Sequence, residues 1–358
     1  FFLPMNKQML DVYTDYLISS FSYTTATGLS NALGGIISHD KITRFLSADD
    51  YDSKKLWKLV KKSIRQIESA DGVLIVDDTI QEKLYTDEND LITWHFDHTF
   101  GRNVKGVNIL SLIYGNQGMN LPVSFEAIKK TEAYTDKKTQ KERRKSVKTK
   151  NEYFRDMAKV AVVDNQIKCR YFLADVWFSS NDNMKYIKED LKKDFIMPIK
   201  TNRLVCTTLE EKRKKQFQRV DELGIAEGKA QQIYLKGLPF PVQLVKQIFR
   251  NKDGSQGIIY LVCSNGTVEA EGITQAYQKR WPIEEYHKSI KSNTNLAKSP
   301  TRTIRTQQNH FFASIYAYCK LEMLKGRIQL NHFALKAKLY VRALRASMTE
   351  LQRLRLAT

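Results

Sequence analysis

The sequence is short of cysteine, short of acidic residues and without any long apolar run. Its 358 residues include four cysteines, Cys169, Cys206, Cys263 and Cys319. They lie far apart and form no Cys-x2-Cys pair, which excludes zinc-ribbon spacing and argues against a disulfide framework in a chain this long. Reduced, mostly buried thiols in a cytoplasmic protein are the expectation. No stretch approaches the roughly 18 uninterrupted apolar residues of a membrane span, so no membrane partner is expected. Gly101 to Gly106 lacks the Gly-Lys-Ser/Thr ending of a phosphate loop, so no nucleotide cofactor is expected. Trp94-His95-Phe96-Asp97-His98 is accompanied by no third ligand cluster, and His95 and His98 read as structural or surface residues. Asp and Glu number 39 against 58 Lys and Arg, a formal net charge of +19. An excess of this size points to a polyanionic partner.

The pattern along the chain divides it. Residues 1–70 read as helical, with Met9, Leu10, Tyr13, Leu17 and Phe21 at helical spacing. Within this region two short helices flank Gly34-Gly35, the outline of a helix-turn-helix. Ser38 or Asp40 would cap the second helix, and Lys41 and Arg44 would then face phosphates or base edges. An ordinary helical hairpin with a solvated basic face is the bland alternative. From about residue 72 the pattern turns to strands: Val73 to Asp77, Thr93 to Phe100 and Val107 to Tyr114. Residues 129–150 are dense in Lys and Arg and read as a loop or solvated helix, with a phosphate-binding arm as the functional alternative. A helix (151–163), a strand (169–174), a helix (181–192) and a strand (195–199) follow. Three strands, then helix, strand, helix, strand and a final helix is the order of the ribonuclease-H-like fold. The expected class is therefore α/β (mixed α+β). A core over 71–200 would be interrupted by a β-rich insertion (201–266) and resumed by a helix over 267–300. A helical, basic tail covers 301–358.

Three acids stand out in this frame. Asp78 follows the apolar run Val73 to Val76, Asp175 ends a second run, Tyr171 to Ala174, and Glu284 lies on the late helix. Acids at the ends of neighbouring strands, joined by one from a helix, can converge on a pair of divalent metals. A metal pair clamps the attacking and leaving oxygens of a phosphoryl displacement. Tyr277, Arg280, Glu284 and Lys291 are offset by 3, 7 and 14 from the first, so a continuous helix would place them on one face, with Lys288 nearby. Pro282 is expected to kink that helix or restart it at its own first turn.

Val76-Asp77-Asp78-Thr79, Leu173-Ala174-Asp175-Val176-Trp177-Phe178 and above all Tyr277-x2-Arg280-x3-Glu284-x6-Lys291 resemble the DDE-type cut-and-paste transposases of bacterial insertion sequences. The third motif resembles the branch with a β-strand insertion before the catalytic Glu. The resemblance covers roughly residues 70–320. It implies that Asp78, Asp175 and Glu284 are catalytic and hold two Mg²⁺ ions, with Mn²⁺ as a substitute. It also implies that Tyr277, Arg280 and Lys291 contact DNA. Asp77 competes with Asp78, because neighbours on a strand point to opposite faces; Asp78, directly before Thr, is the choice on motif grounds. Glu285 competes with Glu284 but breaks the spacing. Lys200 and Arg203, after the fifth strand, are further candidates for DNA backbone contact.

The implied partners are double-stranded DNA, as terminal inverted repeats and as target, and a second copy of the chain in the DNA complex. Competing readings are an inactive or domesticated DNA-binding protein, and a ribonuclease-H-like nuclease without strand transfer. One departure concerns excision through a DNA hairpin, which in relatives uses an aromatic residue, often Trp, of the insertion. No Trp lies between residues 200 and 266, leaving Phe249 and Tyr260 as substitutes.

Overall fold

Burial of the apolar stripes of the first 67 residues sets four helices against the rest of the chain. The structure is a computed structural model that describes residues 7–97, 101–137, 140–250 and 253–356. Helices α1 (Lys7–Ser19), α2 (Ala26–Ala32), α3 (His39–Ala48) and α4 (Ser53–Ile67) come first. Helix α1 buries Met9, Leu10, Tyr13 and Leu17, and α4 buries Leu56, Val60, Ile64 and Ile67. Between α2 and α3, Gly34 and Gly35 take φ values of 62° and 79°, a left-handed backbone that glycine adopts without a Cβ clash. Of the two capping candidates, Ser38 is the cap of α3, its side chain accepting from the Lys41 amide.

Strands then follow: β1 (Val73–Glu82), β2 (Thr93–Asp97), β3 (Arg102–Asn116) and β4 (Met119–Ala127). An exposed hairpin, β5 (Glu132–Thr135) and β6 (Glu142–Lys145), leads to α5 (Lys150–Lys159), β7 (Tyr171–Ala174), α6 (Asn181–Lys185) and β8 (Asp194–Ile199). The next stretch holds β9 (Leu204–Cys206), α7 (Leu209–Arg213), β10 (Gln218–Arg219), β11 (Ala230–Leu235), β12 (Val242–Arg250) and β13 (Gln256–Cys263). Four helices close the chain: α8 (Ala270–Gln278), α9 (Pro282–Ser292), α10 (Ile304–Ile328) and α11 (His332–Leu356).

One large mixed sheet runs β10-β9-β11-β12-β13-β8-β7-β1-β3, and β2 and β4 also pair with β3. β1 pairs in parallel with β7, which pairs in parallel with β8; β3 is antiparallel to β1. The fold is thus mixed α+β with helices at both ends, of the ribonuclease-H-like kind. Residues after β8 do not form a separate lobe: β13 adds antiparallel to β8 and extends the same sheet.

The sequence reading needs corrections here. Strand β4 was not foreseen; it follows a two-residue turn at Gln117 and Gly118, both with positive φ, the twist that suits a tight hairpin. The antiparallel meander is therefore β1, β3 and β4, with the short β2 beside β3. The expected second strand is described over Thr93–Asp97; His98 and Phe100 lie outside the described residues. Within the basic run, Glu132–Thr135 and Glu142–Lys145 pair as a hairpin rather than forming a loop or helix, braced by Lys145–Glu132 and Arg143–Asp136 ion pairs of 3.3 Å each. The late helix restarts at Pro282, which begins α9, one of the two outcomes expected of that proline.

Helix α10 is buried along most of its length, including Phe311, Phe312 and Ile315. Its polar side chains tie the N-terminal helices down. The Tyr13 hydroxyl bonds His310 Nδ1 at 3.0 Å. Asn309 Nδ2 donates to the Leu46 carbonyl at 2.8 Å, and Asn309 Oδ1 accepts from the Tyr51 amide at 2.9 Å. Helix α11, by contrast, is exposed over nearly its whole length, with only His332 buried. Among the described residues no helix is long and apolar enough to cross a membrane.

Candidate metal centre

The parallel β1–β7 pair brings the acids together. In its register Val76 lies opposite Ala174, so the next residues on each chain, Asp77 and Asp175, sit side by side. Asp175 leaves the strand to cap a single tight turn, its Oδ1 accepting from the Trp177 amide at 2.9 Å. The Tyr277 hydroxyl donates to the Ala174 carbonyl at 3.4 Å and so docks α8 beside the same strand end.

Asp77 and Asp78 part company. Asp77 pairs across the sheet with Ser111, whose hydroxyl bonds the buried Tyr286 hydroxyl of α9 at 3.1 Å. That face of β1 therefore looks at α9. Ligand atoms of Asp77, Glu284 and His287 all lie within 4.8 Å of one another. Asp78 instead accepts from Asn108 Nδ2 and from Lys150 Nζ, the latter at 2.8 Å. Asp175 stands near enough to interact electrostatically with both aspartates.

This concentration of negative charge disfavours ionisation of the acids themselves. Burial, then the charges of Asp175, Asp78 and Glu284, raise the Asp77 pKa to about 8. Burial likewise raises Asp175. Arg280 partly compensates: its Nη1 lies 3.1 Å from Glu284 Oε1 and 3.7 Å from Asp77 Oδ2. Its guanidinium also sits over the Tyr277 ring at 5.9 Å. His287 adds a nitrogen donor. Its side chain is 7% exposed, and Nε2 is buried with no hydrogen-bond partner. Burial, then the Lys291 charge, lowers its pKa to about 3, so the imidazole is neutral and able to ligate. Three carboxylates that disfavour one another's ionisation, and an imidazole whose Nε2 makes no hydrogen bond, fit a divalent cation, which favours ionised acids and takes oxygen and nitrogen donors.

The basic candidates are distributed unevenly. Lys291 Nζ donates to the Ile80 carbonyl at 2.8 Å, so it ties α9 to β1 instead of lying open on the helix face. Lys288 is exposed and lies over the Phe333 ring of α11 at 5.2 Å. Lys200 and Lys150 flank the half-exposed Trp177 indole at 5.7 and 5.5 Å. Arg203 donates to Asn181 Oδ1. Lys41 and Arg44 are exposed on α3. His95 Nε2 bonds the Thr93 hydroxyl at 3.0 Å. In the extended sheet Tyr260 is 4% exposed and offers no free ring face, whereas Phe249 is 53% exposed. Sequence reasoning passed over His287 and Asn108, and read Lys150 only as part of a basic run. The Glu284-x2-His287 spacing was the available signal for the first; the other two are brought in by pairing and packing alone.

Carboxylates gathered midway along β1 and just past the end of its parallel neighbour β7, in a ribonuclease-H-like sheet, are the arrangement of a metal-dependent nuclease. The chain belongs to the family described as DDE superfamily endonuclease, which it matches over residues 3–219. That match includes Asp77, Asp78 and Asp175 and stops short of Glu284. No curated protein matches the chain.

Proposed function

We propose that the protein is a DNA transposase that cleaves the ends of an insertion sequence and joins them to target DNA. The observation that carries this reading is the convergence of Asp175, Glu284 and the Asp77–Asp78 pair beside a cluster of cations. The sequence motif favours Asp78 as the first metal-binding acid. The geometry favours Asp77, whose carboxylate lies with Glu284 and His287, and we assign the role to Asp77, with Asp175 and Glu284 as its partners. Two Mg²⁺ ions, replaceable by Mn²⁺, would supply nucleophile activation and stabilisation of the leaving oxygen.

The chain's own residues have separable roles. Asp78, midway along β1, is held by Lys150 and Asn108 and joins the strand to α5 and β3. Tyr277 positions the turn that carries Asp175. Arg280 neutralises Asp77 and Glu284 until a cation enters, and is then free to meet a phosphate. Lys291 seats α9 on β1. Lys41 and Arg44 on α3, in the helical region 1–70, and Lys200, Arg203 and Lys288 around the site are assigned to the DNA backbone. Two ends must be held together for cut-and-paste chemistry, so we assign the active form to a homodimer on two end DNAs. The exposed apolar residues Val341, Leu344, Met348 and Leu351 of α11 support this; they recur at the 3- and 4-residue spacing of a helix-pairing seam.

Incubation with a duplex carrying the terminal repeats, a target plasmid and Mg²⁺ tests the reading. Strand-transfer product is expected, and light scattering should give two protein chains on two DNAs. Cleavage without any joining would reduce the activity to that of a nuclease, and no cleavage with any divalent ion would sink the proposal.

A further inference from the structure

Glu284 and His287 are three residues apart on α9, and residues so spaced share one helix face. The same Glu-x-x-His spacing places two metal ligands on one helix in carboxylate metal sites. Here that face meets β1 at Asp77. Two observations converge on the imidazole. A ring nitrogen of His287 lies within 4.8 Å of ligand oxygens on both acids. Independently, Nε2 is buried and makes no hydrogen bond, although a buried polar atom without a partner costs about 1–3 kcal/mol. Packing against Tyr286, with ring centroids 5.3 Å apart, helps hold the ring in place.

We infer that Nε2 of His287 is a direct metal ligand, making one cation site of mixed nitrogen and oxygen donors together with Asp77 and Glu284. The inference rests on the metal-dependent reading above. Its consequence is selectivity. Mg²⁺ prefers oxygen ligands and retained waters, whereas Mn²⁺ and the later first-row ions accept imidazole. This site therefore favours Mn²⁺ over Mg²⁺, while a site built around Asp175 and oxygen donors carries no such bias. Arg280 touches both acids, so its guanidinium must withdraw as the cation enters.

The test is metal binding followed by titration calorimetry and by electron spin-echo modulation of bound Mn²⁺. In the wild-type protein the echo should carry a ¹⁴N modulation that changes to a ¹⁵N pattern after labelling with ¹⁵N-histidine, a comparison that needs no mutation. His287→Gln, checked for an unchanged circular dichroism spectrum, should lose that modulation. It should also bind Mn²⁺ about tenfold more weakly, since even groups behind the ligands are worth roughly 10–100-fold in affinity. Mg²⁺ affinity should move far less. Mn²⁺ bound without histidine modulation, or modulation that survives His287→Gln, overturns the inference and leaves the metal-dependent reading intact. If wild type binds no Mn²⁺, or binding survives the double change Asp175→Asn and Glu284→Gln, the metal-dependent reading falls and the inference with it.

Discussion

Asp77 and Asp78 are consecutive on one strand yet answer to different partners: Asp77 lies 3.7 Å from Arg280, and Asp78 lies 2.8 Å from Lys150. Strand alternation sends neighbouring side chains to opposite faces. The α9 face receives Asp77. This division makes the two acids experimentally separable.

Asp77→Asn, Asp175→Asn and Glu284→Gln are each expected to lower divalent-dependent DNA cleavage by at least about a hundredfold, equivalent to ~2.7 kcal/mol of barrier. Asp78→Asn should keep most of the activity. Rates of nicking on an end duplex decide the matter. Full activity in Asp77→Asn with loss in Asp78→Asn would return the role to the residue favoured by the motif.

Arg280→Ala removes the cation between two acids. Without metal, Asp77 and Glu284 are left facing each other, and the melting temperature should fall by the equivalent of about 2 kcal/mol. Added Mg²⁺ or Mn²⁺ should restore most of that loss, because the ion takes over the missing positive charge. A thermal shift series with chelator and with metal reads this directly. Equal destabilisation in both conditions would mean that Arg280 serves packing alone.

His310 gives a pH dependence away from the site. Its Nδ1 faces the Tyr13 hydroxyl and its Nε2 faces the Asn295 carbonyl. Burial, then the Lys83 charge, lowers its pKa from 6.5 to about 4. The unfolded chain therefore binds a proton across that window while the folded chain does not. The stabilisation is fully present above pH 6.5 and is lost as pH falls towards 4. His310→Gln should melt lower at neutral pH but show a smaller drop on acidification across the window. An identical drop would assign the acid sensitivity to other groups.

DNA binding should weaken steeply with salt, with a log–log slope of about −0.9 per neutralised phosphate. The double change Lys41→Ala and Arg44→Ala should flatten the slope by about two units if each side chain meets one phosphate. Filter binding or anisotropy over a salt series measures it. An unaltered slope would leave the α3 face as solvated surface.

Much of this was legible in the sequence, and the limits are physical. Apolar runs such as Val73 to Val76 and Tyr171 to Ala174 mark buried strands, and their order specifies which of them pair. The Gly34-Gly35 turn and the Pro282 restart could be read from backbone chemistry. Strand β4 carries the alternation of a strand, with Leu121, Val123 and Phe125 between Asn120 and Ser124, but Pro122 in its middle argues against a strand interior. The choice between Asp77 and Asp78 depends on which face of β1 meets α9, a tertiary fact. Lys291 matched a DNA-contact motif, but its hydrogen bond to Ile80 arises only after α9 docks. The hairpin of the basic run carries too few apolar residues to announce itself.

The bonds from α10 to Tyr13 and Leu46 bear on how the protein can be dissected. A single apolar cluster extends from Met9 to Leu321 and includes residues of α1, α3, α4, the sheet and α10. A cut near residue 70 would strip Leu10, Tyr13, Ile64 and Ile67 of the surfaces that cover them and expose the matching side of α10. The N-terminal helices are thus built into the core of the whole chain, and neither half should be soluble when expressed by itself. Any test of the N-terminal helices calls for point variants of the whole chain in place of fragments.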